Sequence, residues 1–460
     1  MITKKSLLIL FMESVLLVMP NTNKGVTLRT DDYGGPCLWR KIDVPKSLLS
    51  EKGFAGDMRI GDLDGDGKIE FVLFRSIDGG MKPCFIGAFD SDGRELWRHG
   101  AGGDQPQRPG PVTVYDFDGD GRAQVLCFFI DPAVNAPAND MDNVVIQIRD
   151  GLTGKVIRQA APASMRQCTG EGANWVHQRL LVANFRGTKR PQDFVVKLGE
   201  KLLAFNKDLD LLWTYQIRWN EYGRCSAYIP AVGDIDGDNR DEINGGFYIL
   251  DDNGRPLWEG QIAENMDSVA IVPWDNGNMR AICSGYGHVL DGKGKVILRL
   301  GKELVPHGQE VRVADFDKSL PGPEMIIRYN GHNPNVMVVA NSGKVIRRFQ
   351  LNYSPNHTGM EAVYWNGKDE AALLYNGGVL WRANGKKFAS LPNLPRPVGP
   401  AKMGWYHCIA ANVCDDEREE VVLYNPWDKY IWIFSPEPMR PAAFDGYKAG
   451  PRQYNPRLMD

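Results

Sequence analysis

With 460 residues, 43% hydrophobic and 24% charged, the chain can fill one large core or two or three ordinary ones, so length leaves the domain count open. A formal net charge of −3 excludes a global basic field that would recruit nucleic acid or an anionic membrane surface, and an anionic partner has to be held by local arginines. The 50 glycines, 29 prolines and 12 tryptophans favour many short strands joined by tight turns.

Residues 1–24 open with Lys4-Lys5 and an apolar run from Ser6 to Pro20, which predicts a signal peptide and a secreted or periplasmic protein. Glu13 interrupts that run. No later stretch reaches the ~18 uninterrupted apolar residues of a membrane span. Tyr33 to Arg40 reads as the closing strand of a hairpin unit that has no beginning. Three related segments follow, Gly61-Asp-Leu-Asp-Gly-Asp-Gly-Lys-Ile-Glu70, Tyr115-Asp-Phe-Asp-Gly-Asp-Gly-Arg122 and Gly233-Asp-Ile-Asp-Gly-Asp-Asn-Arg-Asp-Glu242, each a strand, an acidic turn and a strand. A Gly turn with a Trp-ended strand comes downstream, as in Phe89-Asp-Ser-Asp-Gly-Arg-Glu-Leu-Trp97 and Leu250-Asp-Asp-Asn-Gly-Arg-Pro-Leu-Trp258, which is a hairpin.

Weaker copies start at Ala183, Pro273, Ala314, Tyr364 and Asn412, giving eight units roughly 40 to 70 residues apart. That spacing suits four-stranded antiparallel blades. An open row of sheets would leave edges exposed, so a closed ring is expected. The prediction is an all-β chain with a single β-propeller over residues 25–440, with eight blades favoured and seven the alternative because the copy at Pro273 is the weakest. The last unit, ending near Ile433-Phe434, lacks its Trp-ended strand, and the N-terminal strand near Pro36–Arg40 is expected to complete it. Residues 441–460 are expected to form a tail packed on the propeller. The eight cysteines, Cys37, Cys84, Cys127, Cys168, Cys225, Cys283, Cys408 and Cys414, show no CxxC spacing and read as buried small hydrophobes, with one or two bridges possible among them.

In the first acidic loop Asp62, Asp64, Asp66 and Glu70 alternate with glycines, which puts hard oxygen ligands on one side of a tight turn and suits structural calcium. Asp234, Asp236, Asp238 and Glu242 repeat the pattern, and Asp116, Asp118 and Asp120 carry it with Gln124 in the last position. The alternative is an acidic turn capped by its own backbone. These loops resemble FG-GAP-type repeats, which implies the propeller fold and leaves function open.

The chemistry is expected on the opposite face. His177, Tyr228, His307, His357 and His407 each fall five to eight residues before the first motif position of their unit, one strand length from the acidic turns. Four of the seven histidines occupy this equivalent position, and His288 and His332 sit in connections that open on the same face. Arg179, Arg224, Arg312 and Arg328 add positive charge, and Trp175, Tyr222, Trp405, Tyr406 and Trp427 add flat apolar surfaces. Arginine matches a carboxylate in bidentate fashion, and aromatic rings stack on sugars. For each of these residues a structural role, as a core side chain or surface ion pair, is the alternative.

A mouth with His, Tyr and Arg suits an acidic polysaccharide or oligosaccharide. Arg or protonated His neutralises the uronate carboxylate, a neutral His or Tyr removes the adjacent C–H proton, and another Tyr or His protonates the leaving oxygen. In this reading His177, Tyr228, His307, His357, His407, Arg224 and Arg312 carry catalysis. The constellation resembles that of propeller polysaccharide lyases acting on ulvan and other rhamnose–glucuronate polymers. It is also similar in architecture to the propeller rhamnogalacturonan lyases and to a propeller α-L-rhamnosidase family. Because the chain has no counterpart of the N-terminal sandwich-like region of the rhamnogalacturonan lyases, that substrate is set behind the first. The alternatives are a glycoside hydrolase, for which Asp267, Glu310 and Glu361 are the main carboxylates, and a non-catalytic carbohydrate-binding propeller. Zinc stays open, although no set of four convergent Cys/His ligands can be read from the spacing. The protein is expected to act as a monomer.

Overall fold

The computed structural model describes residues 35–77, 82–103, 110–135, 142–166, 180–218, 227, 229–399, 405–414, 416–437, 446–447 and 449. Eight four-stranded antiparallel sheets follow one another as blades of a ring. Blades 1 to 7 occupy residues 57–100, 112–160, 181–216, 231–259, 269–299, 310–350 and 361–390, each running from the inner strand outward in chain order. Blade 8 takes His407–Ala411, Glu420–Tyr424 and Tyr430–Pro436 from the end of the chain and Pro36–Asp43 from its beginning. That N-terminal strand pairs antiparallel with the last one, from Pro36 opposite Pro436 to Asp43 opposite Tyr430. The eight-blade expectation and the closing strand are both found. The weak copy at Pro273 belongs to a full blade whose inner strand is Val269–Asp275.

Blades pack face to face through buried β-branched and aromatic side chains. Between blades 5 and 6 these are Trp274, Ile282, Val289, Val311, Met325, Ile327 and Met337. Between blade 8 and blade 1 they include Ile431, Ile433, Met58, Phe71 and Leu73. Each such side chain stabilises the ring by ~1.5–3 kcal/mol when fully removed from water. The Trp of the repeat has a defined partner: Trp97 Nε1 donates to the carbonyl of Gly151 at 2.6 Å and Trp213 Nε1 to that of Asp252 at 2.8 Å, each in the outer hairpin of the next blade. The hairpin glycine matters there. A Cβ on Gly154, at φ +67°, would stand 2.4 Å from the Trp97 ring.

The described helices are single turns, the 3-10 turn Lys46–Leu48 and the α-helical turns Ala163–Arg166 and Pro355–Thr358. No described helix is long and apolar enough to cross a membrane. Cys37, Cys84, Cys127, Cys283, Cys408 and Cys414 are free thiols. Cys168, Cys225 and the expected signal peptide lie outside the described residues.

Candidate functional site

Each inner strand runs from one face of the ring to the other, so its two ends carry different chemistry. On the first face, the acidic turns of neighbouring blades are joined by backbone hydrogen bonds: Ala123 N–H to Asp62 O, Asp241 N–H to Asn184 O, Ala372 N–H to Asp315 O and Glu419 N–H to Tyr364 O. Carboxylate oxygens of Asp62, Asp64 and Asp66 lie within 4.8 Å of one another, as do those of Asp234, Asp236 and Glu242. Such oxygen sets fit a hard divalent cation. Burial first, then the three neighbouring aspartates, pushes the Glu70 carboxyl up to about 8, and Glu242 reaches the same value for the same reasons. A cation there would relieve that repulsion. In blade 2, by contrast, Arg190 meets Asp116 at 3.2 Å and Lys207 meets Asp118 at 3.5 Å, so protein cations already face those carboxylates.

The second face is the mouth. The segments leading into inner strands meet the connections between second and third strands there, as in Gln309 N–H to Arg328 O and Ser284 N–H to Ser268 O. His307 is pinned from both sides, its N–H donating to Tyr329 O and its carbonyl accepting from Gly331 N–H. Its Nε2 lies 3.1 Å from Asp267 Oδ2, with the side chains 38% and 13% exposed respectively. Asn265 Nδ2 stands 3.0 Å from Nδ1. His332 lies on the same connection, exposed, and its carbonyl accepts from Ser354 Oγ at 2.7 Å. Next to Ser354, Tyr353 packs on Trp405 with ring centroids 4.0 Å apart, and the His357 ring meets Trp405 edge-on at 6.3 Å. Burial, and then the charge of Arg328, holds His357 below the usual imidazole range. His307, His332, His357 and Trp405 therefore form one stretch across blades 6 to 8, while Arg328 is fully buried and acts on His357 through its charge.

Other expected residues have different surroundings. Arg312 bridges two blades, 2.9 Å from Glu310 and 3.4 Å from Glu361. His407 begins the inner strand of blade 8, 1% exposed, with its ring 5.5 Å from that of Tyr424. Tyr406 is buried, which raises its hydroxyl pKa, and its carbonyl accepts from Tyr375 Oη at 2.8 Å. His288 is buried, Nδ1 donating to Gly285 O at 2.7 Å, and burial lowers its pKa. Trp427 packs on Phe54, toward blade 1. His177, Trp175, Arg179, Tyr222, Arg224 and Tyr228 lie outside the described residues. Sequence reasoning missed Asn265 and Tyr353, and took Asp267 only as a hydrolase carboxylate. Asp267 and His307 are 40 positions apart, and no repeat signal couples them.

A family model described as "Rhamnogalacturonan lyase family 11, C-terminal domain" matches residues 43–165, which span blades 1 and 2. Rhamnogalacturonan endolyase YesW of Bacillus subtilis (strain 168) is 25% identical over 294 residues, 53% of this chain and 47% of that protein. Rhamnogalacturonan exolyase YesX of the same organism is 26% identical over 246 residues, 44% of this chain and 40% of that one. The chain thus spans less than half the length of each of these curated relatives. Its fold is similar to that of a rhamnogalacturonan lyase PL11 from Bacillus licheniformis, with a TM-score of 0.63 at 21% identity over 88% of this chain and 75% of that one.

Proposed function

We propose that this chain is a propeller polysaccharide lyase, a carbon–oxygen lyase that cleaves an acidic glycan of the rhamnose–uronate type by β-elimination. The observation that carries the reading is the mouth stretch in which His307, His332 and His357 stand with Trp405 on adjoining segments. The names of the similar proteins favour a rhamnose–galacturonate polymer over the rhamnose–glucuronate polymer that the sequence put first. A neutral imidazole within reach of substrate suits proton abstraction next to a carboxylate, and His307, 38% exposed, is open for that part, while burial and Arg328 keep His357 neutral as a further polar contact. Positive charge near the uronate carboxylate acidifies the neighbouring C–H, and with Arg328 fully buried a protonated histidine of this stretch supplies that charge in this proposal. The aromatic shelf of Tyr353 and Trp405 offers a stacking surface for a sugar ring. Of the three carboxylates that a hydrolase would use, Glu310 and Glu361 are committed to Arg312, which leaves Asp267 without a second carboxylate across the bond.

Calcium at Asp62, Asp64, Asp66 and at Asp234, Asp236, Glu242 has a structural part in this proposal, far from the mouth. Export of a monomer agrees with a glycan substrate. Incubation with rhamnogalacturonan tests the reading. A lyase produces the ultraviolet chromophore of an unsaturated uronate, a hydrolase gives reducing ends without it, and a binding module gives neither. Either of the last two results overturns the proposal.

A further inference from the structure

We propose that His307 is the proton-abstracting base of this site and that Asp267 is its positioning residue, with Asn265 covering the base until substrate arrives. The assignment rests on the lyase reading above and deepens it. Three segments converge on the ring: the lead-in to blade 5 with Asn265 and Asp267, the lead-in to blade 6 with His307 itself, and the connection 329–334. The backbone bonds to Tyr329 and Gly331 fix the position of the histidine Cα. The Asn265 amide lies 3.4 Å from Nε2 as well, so its closer approach to Nδ1 and the carboxylate at Nε2 together choose a tautomer. A carboxylate only accepts, so Nε2 carries the proton toward Asp267, and Nδ1 keeps the lone pair that the Asn265 amide meets at 3.0 Å.

That lone pair is the reactive one. Once substrate displaces the Asn265 amide, Nδ1 takes the proton from the carbon next to the uronate carboxylate. The C–H electron pair forms the new C=C bond, the adjacent C–O bond breaks, and the leaving alkoxide takes a proton from solvent water. The resulting hydroxide removes the proton from the imidazolium, so no water is consumed. Asp267 stabilises the imidazolium between these steps, and Asp267 is mostly buried while His307 stays reachable.

The other charged or titratable groups on the converging segments are Glu264, paired with Lys302, then Glu303, Glu310, Arg328, Tyr329 and His332. Among these contacts Asp267 is the carboxylate that meets the His307 ring. The test compares the full-length protein with its Asp267→Asn and His307→Ala variants, with thermal melting as the folding control. On rhamnogalacturonan, Asp267→Asn is expected to lower kcat by ~100-fold or more with KM little changed. The acidic limb of its pH–kcat profile should move to lower pH, because the imidazolium has lost its carboxylate. An NMR titration of the ring, assigned by its loss in His307→Ala, should move the same way without needing activity. Native-like kcat and an unmoved profile in a folded Asp267→Asn overturn the assignment and leave the lyase reading standing. A native protein that cleaves no uronate polymer overturns the lyase reading and the catalytic role with it, whatever the ring titration gives.

Discussion

Lys197 lies on the second strand of blade 3, buried, with Nζ donating to the carbonyl of Ala227 at 2.8 Å. Loss of hydration pushes its pKa down from 10.5 to about 7. The unfolded chain therefore binds more protons than the folded one between about pH 7 and 10, so this residue makes stability rise with pH over that window. The gain is up to ~4 kcal/mol, at about 1.4 kcal/mol per pKa unit. Lys197→Met should remove this slope, read as the difference between native and variant unfolding free energies at the two pH values. Equal slopes would mean that the ammonium keeps its charge in the fold. Other single residues show why the site was only partly legible. The histidine positions could be read because four of the seven recur at one place in the repeat. Which way such a side chain faces is set by strand alternation, which the repeat does not show: Arg312 pairs with Glu361 of the next blade, and the buried His407 ring lies against Tyr424 of its own.

Among the elements, the acidic turn is the most regular. In blades 1, 4, 6 and 8 a glutamate opening the second strand accepts a backbone N–H of the turn: Glu70 from Leu63, Glu242 from Ile235, Glu324 from Phe316 and Glu420 from Val413. Gln124 does the same for Phe117 at 2.7 Å, so the clamp needs an oxygen and not a charge. Glu242→Gln should accordingly keep the fold and lose only cation affinity. The expected result is a calcium-dependent rise in Tm for the native protein that is smaller in the variant, up to ~2.7 kcal/mol at a hundredfold excess over Kd. A native protein whose Tm ignores both chelator and calcium would leave these turns as capped acidic loops. The turns were legible because Asp and Gly at fixed spacing have few structural uses. Blade 3 was harder to see, since Asn184 replaces the aspartate and binds the carbonyls of Thr188 and Asn239 instead.

For the whole molecule, the ring depends on the pairing of Pro36–Asp43 with Tyr430–Pro436. Removal of residues 1–43 should expose the last strand and lower Tm far more than removal of residues 1–34, with dimers or aggregates appearing through the free edge in size-exclusion chromatography. Matching melting curves for the two truncations would show that blade 8 holds without its outer strand. The count of eight was legible because repeats add up, and the incomplete units at the two ends pointed to each other. The proposed cleft was less so, since its residues come from lead-in segments of blades 5 to 8 and from the connection that carries His332. The same closing pair sets a schedule for folding. Cys37 and Ser435, partners in that sheet, are 398 positions apart, so a ribosome has to release nearly all of the ring before blade 8 can form. Blades 1 to 7, built from neighbouring strands, can assemble during synthesis, whereas the seam is a late, slow event with a high loop-closure cost.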